Sequence, residues 1–228
     1  ALQATHGVDI NPFAVAIARF RLSVAAMKLC GYDSFLELPE LPLRVACGDS
    51  LLLGRLFDSF ERDTSENKRQ AELFRHRWDD ALSTEDNDLI YGPGGQGGIL
   101  TQQYHAVVGN PPYIAPKDKG AKDSYRKYYA ACYGRFVLVC PFYERFFDLA
   151  LPASREETEQ MKLGEAPASS AEQAGYVGMI VANSFMKRSF GQKLIEEIIP
   201  ETDLTHVIDG SGAYIPGHGT PTVILMGR

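Results

Sequence analysis

The segment HAVVGNPPY at residues 105–113 sets the narrowest limits on the fold, because an apolar run leads directly into two adjacent prolines. Each proline fixes φ near about −65° and removes a backbone N–H, so neither a helix nor a central strand can continue through the pair. With proline at about 5% of residues, adjacent prolines are expected at roughly one position in 400. The pattern predicts a buried strand that ends at Asn110 and a stiff exit turn after it.

The tetrapeptide Asn110, Pro111, Pro112 and Tyr113 suits chemistry on a planar amino group. The side-chain oxygen of Asn110 and the carbonyl oxygen of Pro111 are acceptors that can bind both hydrogens of one NH2 group. Binding both hydrogens takes the nitrogen out of conjugation with its ring and frees its lone pair for attack. Tyr113 offers a ring on which a planar group can stack once it has left a duplex. The alternative is a rigid strand-exit turn with a core tyrosine.

Two acids also follow apolar strand-like runs. Asp9 closes HGVD, and Asp49, followed by Ser50, closes LPLRVACG. In an open α/β sheet the ligand lies beyond the carboxyl ends of the strands. There the Asp9 carboxylate could accept hydrogen bonds from both hydroxyls of a ribose. The Asp49 carboxylate could accept a hydrogen bond from the exocyclic amine of an adenine. The alternative for each acid is a helix cap or turn former, the commoner role of an Asp after a strand.

Helical and strand-like segments alternate along the chain. Asn11-Pro12 begins a helix that Gly31 ends, and apolar residues on nearly every face predict that this helix is packed on two sides. Further predicted elements are helices over 141–151 and 187–200 and strands over 176–183, 205–210 and 221–227. The last two strands have no helix between them and should pair antiparallel. The pattern predicts an α/β fold with a mostly parallel sheet and an antiparallel C-terminal hairpin.

Composition bounds the class of protein. The chain has 45% hydrophobic residues, which is enough apolar material for a core. Its net charge is −6, and this acidity argues weakly against DNA binding. Residues 117–135 are basic in contrast, with six basic and two acidic side chains. Among them are tyrosines that could stack on bases. The alternative for this stretch is a solvated helix face with core tyrosines.

No apolar window is long enough to span a membrane, and no signal peptide is visible. The four cysteines are scattered, without a C-x-x-C pair or a histidine at metal-ligand spacing. We therefore expect a cytoplasmic protein with neither a membrane partner nor a metal. The first residues, which lack an initiator Met and run almost at once into a strand, suggest a piece of a longer polypeptide.

The ordered set GVDINP, CGDS and VVGNPPYI resembles class I S-adenosylmethionine-dependent methyltransferases of the amino-methylating branch, whose signature is [DNS]-P-P-[YFW]. The downstream segments FYERFFDLAL, GYVGMIVANSFM and VIDG…PTVILMG resemble the adenine-N6 DNA methyltransferases of restriction-modification and BREX-type phage-defence systems, most of all the phage-growth-limitation (PglX-like) group. The resemblance implies a Rossmann-like methyltransferase sheet whose first strand is missing from this chain. It also implies S-adenosyl-L-methionine as cofactor, and as partners double-stranded DNA with a flipped adenine and other defence-system proteins.

The resemblance assigns cofactor roles residue by residue. Asp9 would hold the cofactor ribose, with Ile10 beside the adenine. Asp49 and Ser50 would hold the adenine amine, and Asn110 would also border the cofactor.

The catalytic residues implied by the resemblance are Asn110, Pro111, Pro112 and Tyr113. Tyr113 would also contact the target base. In relatives, an aromatic residue directly before a proline in the final hairpin sandwiches that base. Here Tyr214 stands one residue further from Pro216, and is the candidate for this second contact.

The chain departs from the family in two places. The glycine-rich loop after the family's first strand is absent, and no target-recognition domain follows the last strand. Residues 1–228 are therefore expected to be a partial catalytic domain, with insertions at about 54–104 and 153–175, that is inactive in isolation. Two other functions remain open: a glutamine-N5 protein methyltransferase acting on release factors, which would share NPPYI, and a non-catalytic nucleic-acid-binding fragment. Phe185 is expected to be a core residue.

Overall fold

The structure is a computed structural model and describes residues 2–54, 83–152, 174–212 and 219–228. The chain divides into two compact units, Ala1–Gln102 and Gln103–Arg228. Among the described residues, no helix is both long and apolar enough to cross a membrane.

In its described residues, the first unit contains a two-stranded parallel sheet and two α-helices. Its elements are β1 (His6–Asp9), α1 (Pro12–Cys30), β2 (Arg44–Cys47) and α2 (Thr84–Tyr91). Asp9 lies opposite Cys47 in the register, and the backbone N–H of Gly48 donates to the Asp9 carbonyl over 2.9 Å. The residues that follow both strands therefore emerge at the same edge of this sheet.

Helix α1 begins and ends where the sequence predicts. The Asn11 side chain accepts a hydrogen bond from the Phe13 N–H over 2.9 Å, Pro12 occupies the first turn, and Gly31 adopts a left-handed φ of 74°. The prediction that this helix is packed on two sides is wrong for the described residues. Phe13 is 78% exposed and Phe20 60%, because two short strands cover only one face of the helix.

An ion pair joins α1 to α2 in the first unit. Arg19 donates to the Val45 carbonyl over 2.8 Å and pairs with Asp86 at 3.2 Å. Asp86 also accepts the N–H of Cys47 over 2.9 Å. The later part of the predicted insertion at 54–104 is thus packed against β2, whereas residues 55–82 lie outside the described residues.

The described part of the second unit contains a four-stranded mixed sheet. Its elements are β3 (Ala106–Gly109), α3 (Lys119–Tyr128), α4 (Val139–Leu149), β4 (Tyr176–Ala182), β5 (Leu204–Asp209) and β6 (Thr222–Gly227). The strand order is β3-β4-β6-β5, with β3 and β4 parallel and β6 antiparallel to both neighbours. The predicted strands β4, β5 and β6 and the antiparallel hairpin are confirmed.

The α/β class is also confirmed, with parallel and antiparallel pairs. The expected mostly parallel sheet stays a prediction, because the described strands are divided between two units. They form two sheets, and β6 makes two antiparallel pairs because it lies between β4 and β5.

The predicted helix over 187–200 is borne out in part, as a helical segment over residues 189–201 that is not a regular α-helix. The segment forms short turns and a π-helical stretch at Leu194–Ile198. A Cβ at Gly191 would collide with the backbone of Phe185, so the chain folds back on itself too tightly there for a regular helix. Pro200 has no N–H to continue one. The predicted insertion at 153–175 lies almost wholly outside the described residues, which resume at Ala174.

Candidate active site

Three strand ends of the second unit lie at one edge of its sheet. Because β3, β4 and β5 run in the same direction, the residues that follow them, Asn110, Asn183 and Gly210, emerge at the same edge. The N–H of Asn183 donates to the Pro221 carbonyl over 3.0 Å, and that of Gly210 to the Thr222 carbonyl over 2.9 Å. The start of β6 thus holds two of these three ends in place.

The position of Asn110 is set by close packing on both sides of it. A Cβ on Gly109 would lie 2.7 Å from Cζ of Phe146, so only glycine lets the strand end approach the buried ring on α4. After the tetrapeptide, the Ile114 carbonyl accepts the N–H of Leu138 over 2.9 Å. Residues 110–113 therefore form a short segment anchored at both ends.

Within that segment the side chains differ in exposure. Asn110 is exposed, and its side chain has no hydrogen-bond partner within the described part of the chain, so its acceptor oxygen is available to a ligand. Pro111 is buried and Pro112 exposed, and Tyr113 is half-buried. Burial raises the pKa of the Tyr113 phenol, which keeps the ring neutral at physiological pH. An open amide beside a neutral aromatic face can bind a planar amino-bearing ring.

A chain of polar side chains at the same edge was missed by the sequence reasoning. The buried Asn183 donates through Nδ2 to the Ser211 hydroxyl over 2.9 Å, and the Ser211 N–H donates to Asp209 over 2.9 Å. The side-chain and backbone hydrogen bonds from Ser211, with the charge of Lys187, hold the pKa of Asp209 below its usual range. The strand-end rule that singled out Asp9 and Asp49 also applies to YVGMIVAN and THVID, and would have found these residues.

In the first unit, Asp9 and Ile10 lie exposed at the carboxyl edge of the sheet. One carboxylate oxygen of Asp9 accepts the N–H of Asn11 over 2.7 Å, and the other has no partner among the residues described. The Ile10 side chain is 57% exposed. An open carboxylate oxygen next to an exposed apolar side chain fits a ribose and its attached base.

Asp49 has a structural role in the first unit. It is 5% exposed, and its side chain accepts the N–H groups of Leu51 and Leu52 over 2.9 and 3.3 Å. It is thus the cap of the turn that follows β2, the alternative that the sequence left open. Ser50, next to it, is half-buried. Cofactor roles for Asp49 and Ser50 remain predictions.

The remaining candidates have different outcomes. Tyr214 lies outside the described residues. Tyr125 and Tyr129 are buried, so they are core tyrosines and not a stacking surface, whereas Tyr133 is 64% exposed. Phe185 is 2% exposed, which confirms it as a core residue.

No group of three or more His, Cys, Asp or Glu side chains that could hold a metal occurs in the described part of the chain. All four cysteines are free thiols. Cys132 and Cys140 are buried and Cys30 is exposed.

The family of Eco57I restriction-modification methylases matches residues 3–154, which include β1, β2 and the tetrapeptide. The chain belongs to this family. One relative, the "Adenine-specific methyltransferase PglX" of Streptomyces coelicolor A3(2), is 47% identical over an alignment of 236 residues. The predicted resemblance to PglX-like adenine-specific methyltransferases is confirmed. The alignment covers all of this chain, and the chain spans 17% of the length of that relative.

Two solved structures resemble this member of the Eco57I family. A cryo-EM structure of a DrdV–DNA complex is 13% identical and matches 97% of this chain and 19% of that chain, with a TM-score of 0.51. At this identity the likeness concerns the fold alone. A modification subunit of a putative type I restriction enzyme from Vibrio vulnificus YJ016 is 10% identical over 97% of this chain and 31% of that chain. Its TM-score of 0.47 is too low to support a statement about the fold.

Proposed function

We propose that this chain is the catalytic part of a DNA methyltransferase that transfers a methyl group from S-adenosyl-L-methionine to N6 of adenine. The observation that carries the proposal is the anchored, exposed Asn110 of an Asn-Pro-Pro-Tyr segment in a member of the Eco57I methylase family. The adenine-specific relative supports adenine as the target. Its name and the restriction-modification family together support a role in phage defence, of restriction-modification or BREX type, in the cytoplasm with other defence-system proteins as partners.

The finer fold proposal is a Rossmann-like methyltransferase sheet. It is supported by the parallel pairs β1–β2 and β3–β4 and by the antiparallel β5–β6 hairpin. The similarity to the fold in the DrdV–DNA complex points in the same direction.

The reaction proposed at Asn110 needs two acceptors and a stacking surface. The Asn110 side-chain oxygen and the Pro111 carbonyl accept the two N6 hydrogens of a flipped adenine, which localises the nitrogen lone pair for attack. Tyr113 stacks on the purine, and its neutral phenol keeps that contact apolar. No strong base is required, because the proton leaves after the nitrogen has become cationic. Tyr214 is the proposed second contact to the purine.

The residues at the edge of the first unit fit the cofactor. The open oxygen of Asp9 suits the ribose hydroxyls, and exposed Ile10 suits the face of the adenine. Asp49 and Ser50 are proposed to belong to this site, and Asn110 of the second unit is proposed separately as a cofactor-binding residue. The cofactor supplies an electrophilic methyl group when bound. The chain's own residues orient the amine toward it.

The glutamine-N5 alternative shares the tetrapeptide chemistry, because an amide NH2 presents the same two hydrogens. The Eco57I family match and the adenine-specific relative favour adenine over a glutamine side chain. A non-catalytic nucleic-acid-binding role is disfavoured by the available acceptor at Asn110, which such a role would not require.

The test is methyl transfer by the whole protein containing this chain. Purified protein is incubated with tritiated S-adenosylmethionine and either unmethylated bacterial DNA or a release factor, and the DNA is digested to nucleosides. We expect label in N6-methyldeoxyadenosine and none in the release factor. Label in a glutamine of the release factor, or no label in DNA, would overturn the proposal.

A further inference from the structure

A basic excursion, defined as residues 115–137, begins one residue after the tetrapeptide segment. The hydrogen bond of 2.9 Å between the Ile114 carbonyl and the Leu138 N–H closes it, so the chain leaves and returns at one place. The buried side chains of Tyr125 and Tyr129 anchor its helix α3 in the core of the second unit. The excursion is thus a folded element held beside residues 110–113.

The two acids of the excursion are engaged in local structure. Asp118 caps α3 by accepting the Ala121 N–H over 2.7 Å. Asp123 pairs with Arg126 at 3.4 Å, and Arg126 also donates to the Gly134 carbonyl over 2.8 Å. Neither acid forms an ion pair with Lys117, Lys119, Lys122 or Arg135 in the described part of the chain.

Several cations of the excursion face solvent. Lys117, Lys119 and Arg135 are exposed and Lys122 is half-buried, and none of these four forms an ion pair among the residues described. With six basic and two acidic side chains the excursion carries a net charge of +4, in a chain whose total is −6. The positive charge is concentrated on the segment that adjoins Asn110 and Tyr113.

We propose that the basic excursion binds the DNA phosphate backbone next to the target adenine. This inference rests on the proposed function and adds a partner surface to it. A DNA duplex carries one negative charge per about 1.7 Å of its axis, and a ten-residue helix such as α3 is about 15 Å long, enough to reach several phosphates. Charge complementarity selects this segment, because the rest of the chain is acidic and would be repelled. Phosphate contacts here position the duplex and carry no sequence information.

The test compares two triple variants of the whole protein containing this chain. In Lys117→Gln/Lys119→Gln/Lys122→Gln the excursion loses three charges. The control, Arg21→Gln/Lys28→Gln/Lys193→Gln, removes three charges from exposed or half-exposed positions elsewhere. Binding to a fluorescent duplex of mixed sequence is measured by anisotropy over a range of salt concentrations, and thermal unfolding is recorded for each variant.

For the excursion variant we expect affinity at least about tenfold lower at about 0.1 M salt. The salt slope should fall by up to about three, one for each phosphate that the variant no longer neutralises. The control variant should match the wild type in affinity and in salt slope. Equal affinity and slope in the two variants would overturn the inference. If the triple variant unfolds, Arg135→Gln, which lies beyond α3, should lower the slope by about one, and an unchanged slope there would overturn the inference equally.

Failure of the proposed function gives a different pattern. A wild-type protein that methylates adenine and binds DNA, with an excursion variant identical to the control, contradicts only the phosphate surface. A wild-type protein that transfers no methyl group to DNA contradicts the proposed function, whatever the variants do. A wild-type protein that does not bind the duplex contradicts the phosphate surface.

Discussion

The side-chain amide of Asn183 donates a hydrogen bond of 2.9 Å to the hydroxyl of Ser211. It ties the end of β4 to the residues that follow β5, at the same sheet edge as Asn110. We therefore expect this bond to hold Ser211 beside the end of β4.

Removing either partner should weaken the second unit. Asn183→Ala and Ser211→Ala should each lower the free energy of unfolding by about 1 kcal/mol, because each leaves a polar group without its partner. In the double variant the two effects should not add, since the same bond is absent from all three variants. Chemical denaturation measures all four proteins of this cycle. Strict additivity would show that the two residues do not act together.

Substitution of Gly109 should disturb both stability and the site. In Gly109→Ala the new methyl group would meet the Phe146 ring at 2.7 Å, so we expect a loss of about 1–3 kcal/mol together with slower methyl transfer. The matched control is Gly178→Ala in the neighbouring strand, where a Cβ would make an ordinary contact with Val108 at 3.5 Å. Thermal unfolding and methyl-transfer rates compare the two. Equal effects would exclude the close approach to Phe146 as the cause.

The thiols should differ in reactivity and in their effect on alkaline stability. Burial raises the pKa of Cys140 to about 12 and raises that of Cys132 as well, whereas Cys30 is exposed. Maleimide should therefore label Cys30 in the folded protein and spare the other two until unfolding, as peptide mass spectrometry can show.

The raised pKa of Cys140 also makes the free energy of unfolding depend on pH. The neutral thiol is favoured in the folded state, so its contribution is fully present below the unfolded pKa of about 8.5 and is lost as pH rises toward about 12. The free energy of unfolding should fall less steeply above pH about 8.5 in Cys140→Ala than in Cys30→Ala. Identical slopes would contradict this assignment.

Loss of the Asp9 carboxylate should weaken cofactor binding. Asp9→Ala removes the open oxygen proposed for the ribose, and a charge-assisted hydrogen bond of about 1.5–3 kcal/mol corresponds to roughly 10- to 150-fold in Kd. Asp33→Ala removes an exposed acid of the same unit and serves as the control. Calorimetric titration with S-adenosylmethionine compares them. Unchanged affinity in Asp9→Ala would remove Asp9 from the proposed site.

Local signals predicted the parts of the fold that depend on neighbouring residues. The bounds of α1 followed from Asn11, Pro12 and Gly31, whose capping acts within one turn. The β5–β6 hairpin followed from a loop too short for a crossover. The end of β3 just before Asn110 followed from the adjacent prolines, whereas the predicted burial of that strand is wrong, because Val108 is 78% exposed.

Other features depend on residues far apart in sequence and could not be predicted from it. The close approach of Gly191 to the Phe185 backbone accompanies an irregular helical segment, a distortion that the pattern of 187–200 does not encode. The Asn183–Ser211 bond depends on the position of β6 between β4 and β5, which no local pattern encodes. The capping role of Asp49 could not be told from a ligand role, because both need an acid at a strand end.

The central claim is that Asn110 activates the adenine amine. The most direct measurement is single-turnover transfer of tritiated methyl to unmethylated DNA by the whole protein and its Asn110→Ala variant, with cofactor affinity measured on the same samples. We predict a rate lower by on the order of 10²–10³ or more, with little change in cofactor Kd, because the missing acceptor acts on the target amine during transfer. Transfer at the wild-type rate by Asn110→Ala would contradict the account.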